Sequence, residues 1–543
     1  MTLTAQEFVA KRKRAEASER SAVRWWNTRK RFLLILSVVL GAALAGIVFG
    51  AISASETQIT QSWFLEGNKP NQASIWGRQL DSWFGWALAV GDVNGDGFDD
   101  LLTSARLESG SAQAGGVAYV IPGPLAFNEV YTIPHGAALV FDGISQDAQV
   151  GTYLDSGDMN GDGIDDIILG SWTEDTHVYL GSADIQAGSP MTVAVAPENM
   201  ALTVSPAGDG QVLCDFNGDG YQDLFVEELL GESGLSVQVW GVLGSPTLTN
   251  TQPISRVLPA EADIVIKEFY PAGWGSPNAR NLACGDIDGD GTPDLAIGIY
   301  TDSPRGLTGA GSVYVVRGDP AITASHPVTL TMPGQADAIL EGMDGGYGWN
   351  GDKFGASVAS ADVNLDGRAD LIVGAPSVGR PNELHGNAGE VYLWLGRALV
   401  GQRFPIQDQA SWTVYGEPHS EYVGQAIATG DFDRDGYPEI LLGCPGCDAS
   451  GQPFNQEGRG YVLEPLLISG EVPVTAVAQL EIVPYDKARC LGGAVAAMDL
   501  NGDQVKDLVL SAHCTYSMGD LPGTVYVVSY PSHVVSFLPF LRK

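Results

Sequence analysis

The sequence predicts an all-β chain, a seven-bladed β-propeller preceded by one N-terminal transmembrane helix. Three observations predict it. A nine-residue acidic segment recurs seven times at spacings of 57 to 76 residues, short apolar runs bounded by glycine flank the copies, and 69 Gly with 30 Pro supply tight turns between short strands. With 44% hydrophobic and only 17% charged residues, the chain is no disordered acidic tail, and a net charge of −36 argues against nucleic acid as a partner. Six cysteines in 543 residues are too few for a disulfide-built scaffold, so a sizeable core must supply the stability.

The N-terminal helix comes first in the chain. Residues 1–31 carry nine Lys and Arg against three acids, a local charge of +6 that leaves −42 for the remainder. Residues 32–52, FLLILSVVLGAALAGIVFGAI, contain Ser37 as their only polar side chain. At about 1.5 Å per residue such a helix crosses a hydrocarbon core of roughly 30 Å. The basic flank keeps residues 1–31 cytoplasmic and exports the rest, giving a signal-anchor with residues 53–70 as a linker, 71–530 as the propeller and 531–543 as a tail. The alternative is a secreted protein cleaved at the small residues near Ser55. Gly46 and Gly50 form a small-xxx-small pair that would suit a homodimer of anchors, against the plainer reading of small residues in a solitary helix.

The acidic segments begin at Asp92, Asp158, Asp215, Asp286, Asp362, Asp431 and Asp499. Position 3 is Asn94, Asn160, Asn217, Asp288, Asn364, Asp433 and Asn501; position 5 is Asp96, Asp162, Asp219, Asp290, Asp366, Asp435 and Asp503. Position 9 is Asp100, Asp166, Asp223, Asp294, Asp370, Glu439 and Asp507. Position 7 offers a backbone carbonyl from Phe98, Ile164, Tyr221, Thr292, Arg368, Tyr437 and Val505. Carboxylates fill 23 of the 28 side-chain positions, and hard oxygen donors in this number suit Ca²⁺, up to seven ions with one per blade. Without metal the carboxylates of each loop repel one another and raise their own pKa values. An EF-hand opens the same way but needs a bidentate Glu at position 12, which here is Thr103, Leu169, Val226, Ile297, Val373, Leu442 and Leu510.

The flanks read as strands. FGWALAVG and FGASVASA precede loops, LLTSA and LIVGAP follow them, GVAYVIPG and GSVYVVRG form a third strand, and AALVFDG and SWTVYG a fourth. Four short strands per repeat describe a propeller blade. At these residues the sequence resembles the FG-GAP repeats of the integrin α-subunit head and of related bacterial surface proteins. Phe84-Gly85 and Phe354-Gly355 match FG, Gly374-Ala375-Pro376 matches GAP, and the acidic loops match the family's Ca²⁺ sites. Val423-Gly424 and Leu491-Gly492 replace FG, Glu439 replaces the last Asp, and Gln504 replaces the loop Gly. The last repeat runs out of chain after its third strand, while ASIWG before the first FG parallels SWTVYG before the sixth loop. Residues near 73–77 are therefore expected to close the ring as the fourth strand of the last blade.

In an antiparallel blade the acidic loops share one face, and the longer, more varied connections lie on the other, where a rigid scaffold usually places recognition. The resemblance implies the same face for ligand. Candidate contacts there are Trp172, Trp274, Tyr347, Trp349, His385, His419 and Tyr516, against the alternative that these rings only pack blade on blade. Arg317-Gly318-Asp319 spells an integrin-ligand motif but sits where a strand ends and a turn begins. Cys444 and Cys447 read as a local disulfide, Cys490 and Cys514 as a second one flanking the seventh hairpin, and Cys214 and Cys284 as buried thiols. No HExxH pair, nucleophile elbow, Walker loop or dinucleotide fingerprint stands in its required context.

The sequence thus points to a membrane-anchored extracellular recognition or adhesion protein that binds a protein or glycan and has no catalytic residues. A surface enzyme acting on polysaccharide and a structural scaffold of a surface assembly are the alternatives.

Overall fold

The computed structural model describes residues 62–65 and 71–530, apart from short internal segments, the longest being 270–280, 343–350, 380–386, 448–456 and 514–521. Residues 1–61 and 531–543 lie outside the described residues, and with them the predicted membrane span and the Gly46/Gly50 pair. Among the described residues no helix is long and apolar enough to cross a membrane.

Seven sheets follow one another in chain order, each built on four antiparallel strands. Blade 1 consists of Phe84–Gly91, Asp100–Ala105, Val117–Ile121 and Leu139–Gly143. Its second and third strands are fully buried, because a strand packed between two neighbouring sheets has no solvent face and reads as a continuous apolar run. The cores accordingly lie between blades. Ile75, Val509 and Val525 of blade 7 pack with Phe84, Leu101 and Tyr119 of blade 1. Phe84, Phe354, Val423 and Leu491 at the FG positions are all completely buried, so the Val and Leu replacements keep the apolar plug. Gly85, at φ +86°, lies where a Cβ would meet Ser511 and Val525 of the preceding blade.

The ring closes where the sequence places the closure. Gln72–Trp76 pairs antiparallel with Thr524–Val528 as the fourth strand of blade 7. A fifth strand, which the sequence reading does not anticipate, completes every sheet. It pairs parallel with the fourth strand and comes from the third-to-fourth connection of the following blade. Met191–Val195 thus leaves blade 2 to edge Leu139–Gly143 of blade 1, and Val130–Thr132 leaves blade 1 to edge Gln72–Trp76 of blade 7. The rule extends around the closure: Ser62–Leu65, within the segment expected to be a linker, edges the fourth strand of blade 6, Ala478–Pro484. These edge strands are short and largely exposed, as in Val130–Thr132, so they carry no buried pattern to reveal them. They do cover sheet edges that would otherwise offer free N–H and C=O groups.

Candidate metal centres and recognition face

Each acidic segment joins the first strand of its blade to the second. Position 9 is the first residue of the second strand, and all seven of these carboxylates have no solvent exposure. Position 2 is an apolar anchor: Val93, Met159, Phe216, Ile287, Val363, Phe432 and Leu500 are each at most 1% exposed. Burying such a side chain is worth about 1.5–3 kcal/mol. The position 2 N–H donates to the position 9 carboxylate in every loop, at 2.8–3.2 Å.

Position 1 orders the loop. In all seven copies its Oδ1 accepts the N–H of position 5 and its Oδ2 the N–H of position 6, as Asp92 does from Asp96 and Gly97. Position 6 has a left-handed backbone, φ +84° to +94° for its six glycines and +66° for Gln504. A side chain there pays a conformational cost, yet loop 7 keeps the same hydrogen bonds. The donors hold the carboxylates convergent. Ligand oxygens of Asp286, Asp288 and Asp290 lie within 4.8 Å of one another, as do those of Asp431, Asp433 and Glu439. That spread matches the diameter of a coordination sphere with Ca–O bonds of roughly 2.4 Å. In these two loops the donor set therefore fits a hard divalent cation, through positions 1, 3 and 5 in the fourth loop and 1, 3 and 9 in the sixth.

Burial pushes Asp100, Asp166, Asp223 and Asp507 up to about 7, Asp294 and Asp370 to about 6, and Glu439 to about 9, and the acids of the same loop add to the rise. Desolvation, more than the mutual repulsion expected from the sequence, is the leading cause. A cation offsets both.

Neighbouring loops also interlock. The position 7 side chain of one loop covers position 4 of the loop before it: Ile164 lies against Gly95, Tyr221 against Gly161, Thr292 against Gly218, and Phe98, across the ring closure, against Gly502. Arg368 reaches further and donates to the backbone carbonyl of Asp288. Position 8 adds backbone bonds, with the N–H groups of Asp165, Gln222 and Ala369 donating to position 1 carbonyls of the preceding loops. In blades 1 to 5 a glycine after the third strand, Gly123, Gly181, Gly244, Gly318 or Gly396, donates its N–H to the second oxygen of position 9. Arg317-Gly318-Asp319 belongs to this scaffold. Its Arg pairs with Asp337 and Asp288, its Gly binds Asp294, and the Asp319 N–H donates to Phe216.

The cysteines require a correction. Cys214 and Cys284, expected as thiols, are joined in a disulfide with Cα atoms 5.5 Å apart. Cys214 ends the first strand of blade 3 and Cys284 is the penultimate residue of the first strand of blade 4, one and two residues before consecutive acidic loops, and adjacent inner strands bring them together. Their near-equal offset from those loops is the signal that sequence reading missed. Cys444 and Cys447 are also joined, and Cys490 is disulfide-bonded, while Cys514 lies outside the described residues.

Of the residues expected at the opposite face, Trp274, Tyr347, Trp349, His385, His419 and Tyr516 lie outside the described residues. Trp172 is 38% exposed and belongs to a cluster that the sequence did not reveal. The Arg106 guanidinium stands 3.7 Å from the ring centre of Trp86, 4.7 Å from Trp83 and 5.8 Å from Trp172. Trp83 stacks on Trp86, and His513 meets Trp86 edge-on. Blades 7, 1 and 2 thus contribute to one aromatic and cationic patch. Burial lowers the Arg106 pKa to about 10, and its Nε is buried without a hydrogen-bond partner. The left-handed backbone at Trp83 belongs to the scaffold, since Gln149, Lys353, Tyr422 and Cys490 share it ahead of their own FG positions.

Comparisons with known proteins agree with the repeat geometry. The FG-GAP repeat family matches residues 84–121, 278–316, 354–394 and 423–463, which fall in blades 1, 4, 5 and 6. Human integrin alpha-7 is 30% identical over 302 residues, 52% of this chain and 23% of that protein. Drosophila melanogaster integrin alpha-PS2 is 28% identical over 271 residues, 48% of this chain and 17% of that one. Human phosphatidylinositol-glycan-specific phospholipase D is 31% identical over 175 residues, 32% of this chain and 20% of that protein. The chain thus spans about a fifth of the length of these relatives. Among solved structures, the WD40 domain of Toxoplasma gondii coronin aligns over 86% of this chain and 87% of its own at 10% identity, with a TM-score of 0.43. The chain carries FG-GAP repeats in an integrin-alpha-like β-propeller.

Proposed function

We propose that this FG-GAP propeller is a membrane-anchored extracellular recognition protein with an adhesion-like role. Ca²⁺ holds its seven loops, and the opposite face binds a protein or glycan. The observation that carries this reading is the division between the faces. On the loop side, carboxylates are oriented by the loop's own N–H groups and anchored by a buried position 9, which suits structural ions. On the other side, three tryptophans gather around one guanidinium, a surface suited to stacking sugar rings or seating an aromatic or acidic side chain. The basic residues 1–31 and the apolar residues 32–52 support the anchor.

An enzyme acting on polysaccharide would need paired acids open to the same face. Asp302 and Glu341 lie beneath the blade 4 loops, buried, with Tyr314 donating to Asp302 at 2.5 Å and Arg305 pairing with Glu341 at 2.8 Å. That arrangement favours binding over catalysis. The phospholipase match, confined to a fifth of that protein, brings no activity with it. The test is glycan-array and protein-array binding of the full chain with and without Ca²⁺. Trp172→Ala and Arg106→Gln should abolish capture while leaving the melting temperature unchanged. Retained binding by both variants would refute this recognition face.

A further inference from the structure

The sixth acidic loop differs from the others in what meets its position 9. In blades 1 to 5 one carboxylate oxygen takes the N–H of position 2 and the other takes the N–H of the glycine after the third strand. In blade 6 that glycine is replaced by Pro465, which has no N–H to give. The residue before it, where the first five blades carry Pro122, Leu180, Leu243, Arg317 and Leu395, is Glu464. Position 9 is itself lengthened, from Asp to Glu439. A backbone donor has therefore been exchanged for a second carboxylate facing the first.

The consequences are visible in the side chains. Glu439 is completely buried; its Oε2 accepts the Phe432 N–H at 2.8 Å, while its Oε1 is buried with no hydrogen-bond partner. Glu464 is 1% exposed. Ligand oxygens of Asp435, Glu439 and Glu464 lie within 4.8 Å of one another, and so do those of Asp431, Asp433 and Glu439. Two triads share Glu439. A buried carboxylate oxygen without a donor carries a desolvation cost that a cation removes.

We propose that blade 6 holds two adjacent Ca²⁺ ions bridged by Glu439, one bound with Asp431 and Asp433 and the other with Asp435 and Glu464. Charge supports two ions over one. A three-carboxylate loop with one Ca²⁺ keeps a net charge of −1; the five carboxylates of blade 6 reach −1 only with two. Glu464 is then a metal ligand from outside the nine-residue loop, reached through the connection between the third and fourth strands.

The proposal rests on the reading that the loops bind Ca²⁺. Native mass spectrometry of the full chain, at the lowest free Ca²⁺ that saturates the unmodified protein, counts the ions directly. Glu464→Gln and Asp431→Asn should each lose one ion and the double variant two. In thermal melts Glu464→Gln should be destabilised in Ca²⁺ but stabilised in EDTA, where it relieves repulsion; a merely structural residue would not reverse sign. If Glu464→Gln keeps every ion, or the double variant loses only one, the two-ion site is wrong while the calcium reading stands. If the unmodified protein binds no Ca²⁺, both fail.

Discussion

The loop face and the opposite face of this propeller are built by the same strands yet obey different rules. On the loop face one arrangement is repeated seven times, down to the same pair of N–H donors on every position 1 carboxylate. On the other face equivalent positions carry different residues from blade to blade: Arg106, Trp172 and His513 each stand six residues after position 9 of their blades, and they gather with Trp83 and Trp86 in the aromatic cluster traced among the described residues. Repetition suits a role that every blade shares, which is holding hairpins in register. Non-repetition suits a role performed once, such as the proposed recognition of a partner. Substitutions on the first face should therefore cost stability, and those on the second should cost binding.

Deleting residues 62–76 tests the frame that both faces hang on. It removes the fourth strand of blade 7 and the edge strand of blade 6, and the expected outcome is no cooperative melt by circular dichroism. Chelation tests the loop face alone. Each site is worth about 2.7 kcal/mol when free Ca²⁺ stands 100-fold above its dissociation constant, so EGTA should lower the melting temperature by many degrees; superimposable melts would remove the ions from the account. Breaking Cys214–Cys284 with serine separates the contribution of the strands from that of the loops. Closing a loop of about 70 residues contributes about 4 kcal/mol in the chain-entropy model. Denaturant midpoints of the Ca²⁺-loaded variant should fall accordingly.

The opposite face offers a pH test. Burial raises the Asp302 pKa to about 7, with Glu341 adding to the rise and the Tyr314 and Ser312 hydroxyls opposing it. A folded pKa above the unfolded one means that folding binds a proton. The stability from neutral Asp302 is therefore full at low pH and is lost as pH rises through 7. Asp302→Asn should flatten stability between about pH 4 and 7, and a variant that still tracks the parent would show that Asp302 titrates normally. Trp172→Ala marks the small end of the scale, with a melting shift near zero beside lost binding.

The blade 6 substitutions show why some of this was legible and some was not. Positions 1 to 9 of each loop are close in sequence, so their oxygens, their position 6 glycines and their distance from the EF-hand pattern can be read directly from the chain. The FG plugs and the closing strand Gln72–Trp76 could be read for a related reason, since apolar plugs and strand patterns survive comparison between repeats. Glu464 could not be assigned to loop 6 from its sequence, because it lies 25 residues beyond Glu439 and its neighbours spell a different turn.

By itself the sequence determined the number of blades, the acidic donor pattern of seven loops and the closing strand, because each is encoded within one repeat by spacing and polarity. Only the tertiary structure decided which residues meet between repeats. It placed the parallel edge strands, the Cys214–Cys284 bridge, the fit of position 7 side chains onto the preceding loop, the gathering of tryptophans around Arg106 and the turn of Glu464 toward Glu439. These contacts join blades or connections distant in the chain, and the packing of neighbouring blades within a closed ring, which no local pattern specifies, sets their distances.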